Sequence, residues 1–335
     1  MKRQLKKLLY PWWALALPRR HGQHPYFGPP TLPYGGPDLK ARKLKARFGN
    51  AAWPTLAYVF SAKPPPAAFL RGLRRRKIPI VLNQNGVFYP AWDPVHYERN
   101  NQRLRELHEA ADYVLYQSQF CFDSTQEWVR PPERPHRILY NAVDVQLFKP
   151  SKDKPSHPLV LLAASYFNPE KKYLLDYLQE VMRHFQKEGV PVRLRIAGKI
   201  AGSPAQKLPS GIEVVGPFAP SEAPAVYQQA DALLHLTPLD ACPTSVLEAM
   251  ACGLPVLYSQ SGGTAELVGE GGIALPVQAS YVERALPDLP SISLAVKSVI
   301  TNWADFSKRA RVQAQRFSIQ DWYRAHEKLF SELSI

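Results

Sequence analysis

The stretch PLDACPTSVLEAMACGLPV, residues 238–256, sets two carboxylates, Asp240 and Glu248, on either side of Cys-Pro-Thr-Ser. The preceding DALLHLT reads as a strand, and Pro243-Thr244-Ser245 reads as the start of a helix. Asp240 is then in the connecting loop, and Glu248 about one turn into the helix, roughly 5–6 Å along its axis. The free amides at Thr244 and Ser245 carry the positive end of the helix dipole, which suits a phosphate. Two carboxylates would repel that phosphate unless they accept hydrogen bonds from hydroxyl groups on either side of it. A nucleotide sugar has this layout, so Glu248 is expected at the ribose and Asp240 at the sugar. Ser245-Val-Leu-Glu248 also fits a capping box, in which Ser245 and Glu248 satisfy each other's backbone donors. On these residues alone the two readings stand level.

Other chemistries are pruned by what the sequence lacks. No P-loop and no strand-following G-x-G-x-x-G occurs, and HEAAD (108–112) ends in Asp where a zinc-protease helix needs His. Cys121, Cys242 and Cys252 are odd in number and lack metal-ligand spacing, so neither a disulfide framework nor a metal site is expected. No D-x-D segment exists to hold a metal-bound diphosphate. A diphosphate would therefore be neutralised by protein groups. One such group is Lys171, placed on the first turn of a helix by Asn168 as N-cap and Pro169 at N1. Taken alone, a first-turn lysine is more often solvated surface.

These residues need a scaffold, and the chain alternates short β-branched runs with longer amphipathic ones. Strands are expected at 55–60, 78–83, 112–118, 137–141, 158–164, 192–198, 212–216, 231–237 and 254–259. Helical stretches such as ERNNQRLRELHEAA (98–111) and KKYLLDYLQEVMRHFQKEG (171–189) separate them. Strands this apolar, spaced by helices, imply parallel sheets in βαβ units, hence an α/β class. A chain of 335 residues suits two domains. Charge, Ser and Pro replace periodic hydrophobicity at FKPSKDKPSHP (148–158). The expected division is 1–150, 151–316 and a C-terminal helix over 317–335 that packs back toward the N-terminal domain. Ligands of doubly wound sheets bind outside the carboxyl ends of the strands, so two facing sheets would leave a cleft.

Charge is unevenly placed. Residues 1–77 hold seventeen Lys or Arg against the single acid Asp38, whereas the remainder has slightly more acids than bases. The N-terminal part is therefore expected to face something anionic: a phospholipid surface, a lipid-linked phosphate or a nucleic acid. The apolar run Leu8 to Leu17 is interrupted by Pro11 and is too short to span a bilayer. Trp12 and Trp13 among lysines suit an interfacial segment. A secretory signal around Ala14-Leu15-Ala16 is disfavoured because Arg19 and Arg20 follow at once; a disordered or locally docked tail is an equal alternative.

The segment from Val214 to Pro276 resembles the donor half of family 4 glycosyltransferases, the retaining group 1 enzymes of the GT-B fold. Asp240 stands for the first Glu of their E-x7-E block, and Glu248 matches the second. The run Gly262-Gly263-Thr-Ala-Glu266 resembles their next donor-side loop. YNAVDVQLFKP (140–150) is similar to their N-G-V-D linker, and SYFNPEKK (165–172) to their G-R-x-x-x-E-K phosphate-binding turn. LPYGGPDLKARKLKARFG (32–49) resembles their early glycine loop and acceptor-side helix, where Gly35 and Gly36 would let backbone approach the donor phosphates; a plain turn before a basic helix is the alternative. Three positions depart from the family. Tyr166 replaces the arginine, Asp240 is one methylene shorter than Glu, and Asn85 stands where a histidine often follows the strand that IPIVLNQNG resembles. Phe218 could border the nucleotide base, with packing an equal reading.

The resemblance implies two facing Rossmann-like domains with a cleft. It also implies a retaining hexosyltransferase that needs no metal or cofactor, with a UDP- or GDP-type nucleotide sugar as co-substrate. Asp240, Lys171 and Glu248 are its expected catalytic residues. Lys171, Thr244, Ser245, Glu248, Asp240, Gly36, Gly35, Tyr166 and Phe218 would hold the donor, and Asn85 lies on the acceptor side. The acceptor is expected to be a lipid-linked or cell-surface glycan in polysaccharide biosynthesis. The location expected is cytoplasmic, peripheral to the inner membrane face through residues 1–77, with no nucleic-acid partner. The alternatives are a non-catalytic GT-B binding or scaffold protein, a nucleic-acid binder and, more distantly, a sugar epimerase.

Overall fold

The computed structural model describes residues 24–29, 36–52, 54–151, 155–200 and 208–333. Two compact units divide the chain. One comprises residues up to 89 together with 93–140 and 320–335; the other comprises 90–92 and 141–319. Gly35 and the basic segment 1–20 lie outside the described residues.

In the first unit, five parallel strands pair in chain order: β1 (Pro25–Tyr26), β2 (Leu56–Phe60), β3 (Ile80–Gln84), β4 (Tyr113–Tyr116) and β5 (His136–Ile138). Between them run helices α1 (Gly36–Phe48), α2 (Ala67–Arg75), α3 (Tyr97–Ala110) and α4 (Gln119–Trp128). Every residue of β2 and β3 is buried, as expected for strands covered on both faces. The last helix of the chain, Ile319–Leu333, also completes this core. Its Phe330 packs against Phe27, Phe48 and Tyr58. Its His326 is fully buried. Nδ1 donates to the Trp322 carbonyl at 2.8 Å, which leaves Nε2 to accept from the Tyr58 hydroxyl at 3.1 Å.

The second unit holds six parallel strands in the order β11-β10-β9-β6-β7-β8: β6 (Leu159–Ala164), β7 (Val192–Ala197), β8 (Ile212–Gly216), β9 (Ala232–His235), β10 (Val256–Ser259) and β11 (Gly272–Leu275). From β6 the chain winds outward to β7 and β8, then returns to the other side of β6 with β9. That reversal creates a topological switch point between β6 and β9. Helix α5 (Lys172–Lys187) buries Leu174, Leu175, Leu178, Val181, Met182 and Phe185, an apolar stripe of helical period that joins Leu159, Leu161, Leu194 and Ile196 in the core. Truncating a residue such as Leu178 to Ala would cost about 2–5 kcal/mol. The remaining helices are α6 (Ala223–Gln228), α7 (Thr244–Ala251), α8 (Thr264–Val268) and α9 (Leu289–Gln315), the last kinked at Asn302; the C-terminal helix of the first unit is α10.

The second unit begins at Asn141 rather than at 151. The reason is local: Asn141 Nδ2 donates to the Cys242 carbonyl at 2.7 Å, tying the linker to the loop ahead of α7. Arg311 of α9 secures the same stretch by donating to the carbonyls of Val145 and Phe148 at 2.7 and 2.8 Å. Residues 90–92 belong here too, because the Ala91 amide donates to the Tyr281 carbonyl at 2.9 Å. Among the described residues no helix is long and apolar enough to cross a membrane.

Candidate active site

The switch point collects the residues singled out in the second half of the sequence. β6 ends at Ala164 and leads through Ser165 to the 3₁₀ turn Pro169–Lys171; β9 ends at His235 and leads to Asp240 and α7. Asn168 caps the turn as its sequence suggests, its Oδ1 accepting the Lys171 amide at 3.0 Å.

The loop carrying Asp240 is held rigidly. Leu239 has φ of 52°, a left-handed conformation that costs a residue with a side chain about 1–2 kcal/mol. Three contacts enforce it. The Leu239 amide donates to Ser261 Oγ at 3.2 Å, the Gly263 amide donates to the Asp240 carbonyl at 2.8 Å, and Gly262 packs directly against the Asp240 backbone. Gly262 has φ of 76°, and a Cβ there would fall 2.7 Å from the Asp240 carbonyl oxygen. Strain concentrated in such a loop is common at functional sites. Asp240 Oδ1 accepts the Cys242 amide at 3.3 Å, and the side chain stays 28% exposed.

Lys171 lies near enough to Asp240 for their charges to interact. Burial lowers the Lys171 pKa, and the Asp240 carboxylate works against that shift. Its Nζ donates to Ser165 Oγ at 3.3 Å and sits 5.8 Å from the centre of the Trp92 ring. His235 was not a sequence candidate, yet its Nε2 is 3.6 Å from Asp240 Oδ2. Burial pushes its pKa down to about 4; Asp240 opposes the shift and Lys171 adds to it. The imidazole is neutral near pH 7.

Helix α7 has Pro243 at its N-cap with no side-chain hydrogen bond. The capping box is not formed. Ser245 lies inside the first turn, and Glu248 Oε2 instead accepts the hydroxyl of Tyr227 at 2.9 Å. Tyr227 is buried, with a pKa raised well above 10 by desolvation and then by Glu248, so it remains a donor. Thr244, Ser245 and Glu248 are all half-buried. The Val246 amide donates to the Pro243 carbonyl at 3.2 Å, whereas the Thr244 and Ser245 amides have no intrahelical acceptor and, among the described residues, no capping side chain.

The other candidates distribute differently. Tyr166 is 55% exposed, and Lys199 Nζ lies 5.9 Å from its ring centre. Phe218 is half-buried just beyond β8. Gly36 and Asn85 belong to the first unit. Gly36 is the exposed first residue of α1, where a Cβ would meet nothing within 4 Å. Asn85 follows β3, its amide donating to Ser61 Oγ at 2.9 Å while its own Oδ1 is buried without a hydrogen bond. Sequence reasoning missed His235, Ser165, Trp92 and Tyr227. The only signal for His235 was one polar residue ending an apolar strand.

A family model described as Glycosyl transferases group 1 matches residues 157–286, and one described as Glycosyltransferase Family 4 matches residues 7–147. WcaL of Escherichia coli K12, which carries the provisional name of a colanic acid biosynthesis glycosyltransferase, is 26% identical over 243 residues. The match covers 67% of this chain and 59% of that protein's length. Among solved structures, sucrose-phosphate synthase from Thermosynechococcus elongatus superposes with a TM-score of 0.67 at 17% identity, covering 88% of this chain and 76% of that one. Anabaena HepE in complex with UDP-glucose gives 0.63 at 17% identity, covering 89% and 82%. One family model spans the strands of the first unit and the other those of the second, and the chain belongs to the group 1, family 4 glycosyltransferases and has their GT-B fold.

Proposed function

We propose that this chain is a retaining hexosyltransferase that moves a sugar from a nucleotide diphosphate sugar, of UDP or GDP type, to a hydroxyl of a lipid-linked or cell-surface glycan. The observation that carries this reading is that β6 and β9, neighbours across the switch point, lead into the loops that bear Lys171, Asp240 and the uncapped start of α7. Lys171 and the amides at Thr244 and Ser245 take the diphosphate, and stabilise it as the bond to the sugar breaks and an oxocarbenium-like state develops. Glu248, its carboxylate oriented by Tyr227, accepts from the ribose; Asp240 accepts from the sugar. Tyr166 and Phe218 complete the donor contacts within the second unit; Gly35 and Gly36 are assigned to the donor phosphates, and Asn85 to the acceptor side, by the family resemblance alone. The acceptor attacks from the face the diphosphate leaves, and the leaving phosphate takes the acceptor proton. No metal or cofactor enters this scheme.

The UDP-glucose complex of HepE supports a nucleotide sugar as donor. The name of WcaL supports polysaccharide synthesis as the setting. The basic residues within 1–77 draw the enzyme to the anionic inner face of a membrane, with no nucleic acid involved. The test is incubation of the protein with UDP, GDP and ADP sugars and glycan or lipid-linked acceptors. Nucleoside diphosphate release, persistence of activity in EDTA and retained anomeric configuration by NMR are expected. No release with any pair would overturn the reading.

A further inference from the structure

His235 closes β9 with its side chain only 7% exposed, and its Nε2 is buried without a hydrogen-bond partner among the described residues. Leaving a buried donor or acceptor unpaired forfeits its hydration with nothing in return, so such groups are rare unless another requirement keeps them. The polar atom in front of Nε2 is Asp240 Oδ2, at 3.6 Å, just beyond hydrogen-bond range. The Asp240 backbone is pinned by the Gly263 amide and crowded by Gly262, so adjustment falls to its side-chain torsions. Its other oxygen is lightly held by the Cys242 amide at 3.3 Å. A rotation moving Oδ2 by less than about 1 Å would bring it into range of Nε2. The Nε2–H tautomer of the neutral ring is the one that can donate there.

We propose that His235 is the positioning residue for Asp240: the Nε2–H captures Oδ2 when a donor sugar engages the carboxylate, and so sets the orientation in which Asp240 meets the sugar hydroxyls. The inference rests on the donor reading above, because it assigns Asp240 to the sugar. It matters here because Asp is one methylene shorter than Glu and has fewer orientations in which to reach a ligand. Being buried, His235 does not touch the sugar; it acts through Asp240. The nucleotide half of the donor, at Lys171, Thr244, Ser245 and Glu248, is bound without its help.

The experiment is calorimetric binding of UDP, UDP-glucose, GDP and GDP-mannose to wild type, His235→Leu and His235→Gln, with melting temperatures to confirm folding. Wild type is expected to bind a nucleotide sugar more tightly than its nucleotide. In His235→Leu that advantage should fall about tenfold, the lower end for a hydrogen bond to a charged group. Affinity for the nucleotide alone should change less than about twofold. Glutamine, a neutral donor, should restore part of the advantage. In an Asp240→Ala background, His235→Leu should have no further effect on the sugar term. Equal weakening of nucleotide and nucleotide sugar, an unchanged advantage in a folded His235→Leu protein, or no rescue by glutamine would overturn the inference. If wild type binds none of the four, the donor reading itself fails and this inference with it.

Discussion

Gly262→Ala tests whether the placement of Asp240 depends on a glycine packed beneath it. Gly262 and Gly216 have nearly the same positive φ, 76° and 77°. Their surroundings differ. A Cβ at Gly216 would meet nothing within 4 Å, whereas at Gly262 it would lie 2.7 Å from the Asp240 carbonyl oxygen, 2.8 Å from its nitrogen and 2.8 Å from the Leu239 carbonyl carbon. All three are backbone atoms in a loop already strained at Leu239, so no side-chain rotation relieves the contact. Gly216→Ala should therefore cost only the left-handed penalty, about 1–2 kcal/mol. Gly262→Ala adds an overpacking cost of about 1–3 kcal/mol and moves Asp240. At about 2–4 °C per kcal/mol for a unit of this size, thermal unfolding separates the two. Displacement of Asp240 by a fraction of an ångström should also lower sugar transfer about 10- to 100-fold. If Gly262→Ala is no less stable than Gly216→Ala, or is less stable yet transfers sugar at the wild-type rate, Gly262 does not position Asp240.

Three other outcomes are expected. Tyr227→Phe removes the donor to Glu248 and should destabilise the protein by about 1.5–3 kcal/mol in urea unfolding, while weakening nucleotide binding. Lys171→Met should leave the ligand-free melting temperature nearly unchanged, because burial already penalises the ammonium, yet abolish the thermal shift produced by the nucleotide that wild type binds. His326 and His108 are held neutral by burial, with pKa values of about 3 and about 4 against 6.5 for an exposed imidazole. On acidification the unfolded chain takes up their protons first, so stability should be full above pH 6.5 and fall toward pH 4 and below. The loss is on the order of 3–5 kcal/mol per histidine as an upper bound. Chemical denaturation across that range checks the slope, which His326→Gln should flatten.

Much of the fold was legible because its signals are local. Runs such as LVLLAA and LAYVF are apolar at every position and short, as in a strand buried on both faces; both form interior strands. Two strands escaped notice. Pro25–Tyr26 is only two residues long, and Gly272–Leu275 begins with a glycine, so neither carries a run to read. The break at 148–158 is a real change of composition, but the second unit starts at Asn141 because a single side chain bonds to Cys242, a hundred residues away in sequence. The site divides in the same way. Asn168 and Pro169 were readable from capping chemistry, which acts over three or four residues. The partners of the carboxylates were not. Ser245-Val-Leu-Glu248 carries the capping-box pattern, but Pro243 took the N-cap and the tertiary donor Tyr227 took Glu248.

The charge arrangement explains how two carboxylates can stand beside a diphosphate site at all. Neither acid is presented bare. Asp240 receives the Cys242 amide and faces the edge of a neutral imidazole, and Glu248 receives the buried hydroxyl of Tyr227. Those dipoles offset part of each negative charge without adding a competing cation. Lys171, by contrast, is desolvated and among the described residues is bonded to the neutral Ser165 hydroxyl, with Asp240 as its electrostatic counterpart. A phosphate arriving at the start of α7 would give Lys171 the direct anionic partner it lacks. Each carboxylate, already oriented by protein donors, still has lone pairs to offer hydroxyl groups. On this reading the cation waits for the phosphate and the acids wait for alcohols, so a nucleoside diphosphate should raise the Lys171 pKa on binding. NMR titration of the labelled lysine Nζ with and without nucleotide measures that shift. An unchanged pKa in a protein that binds nucleotide would place the diphosphate somewhere other than at Lys171.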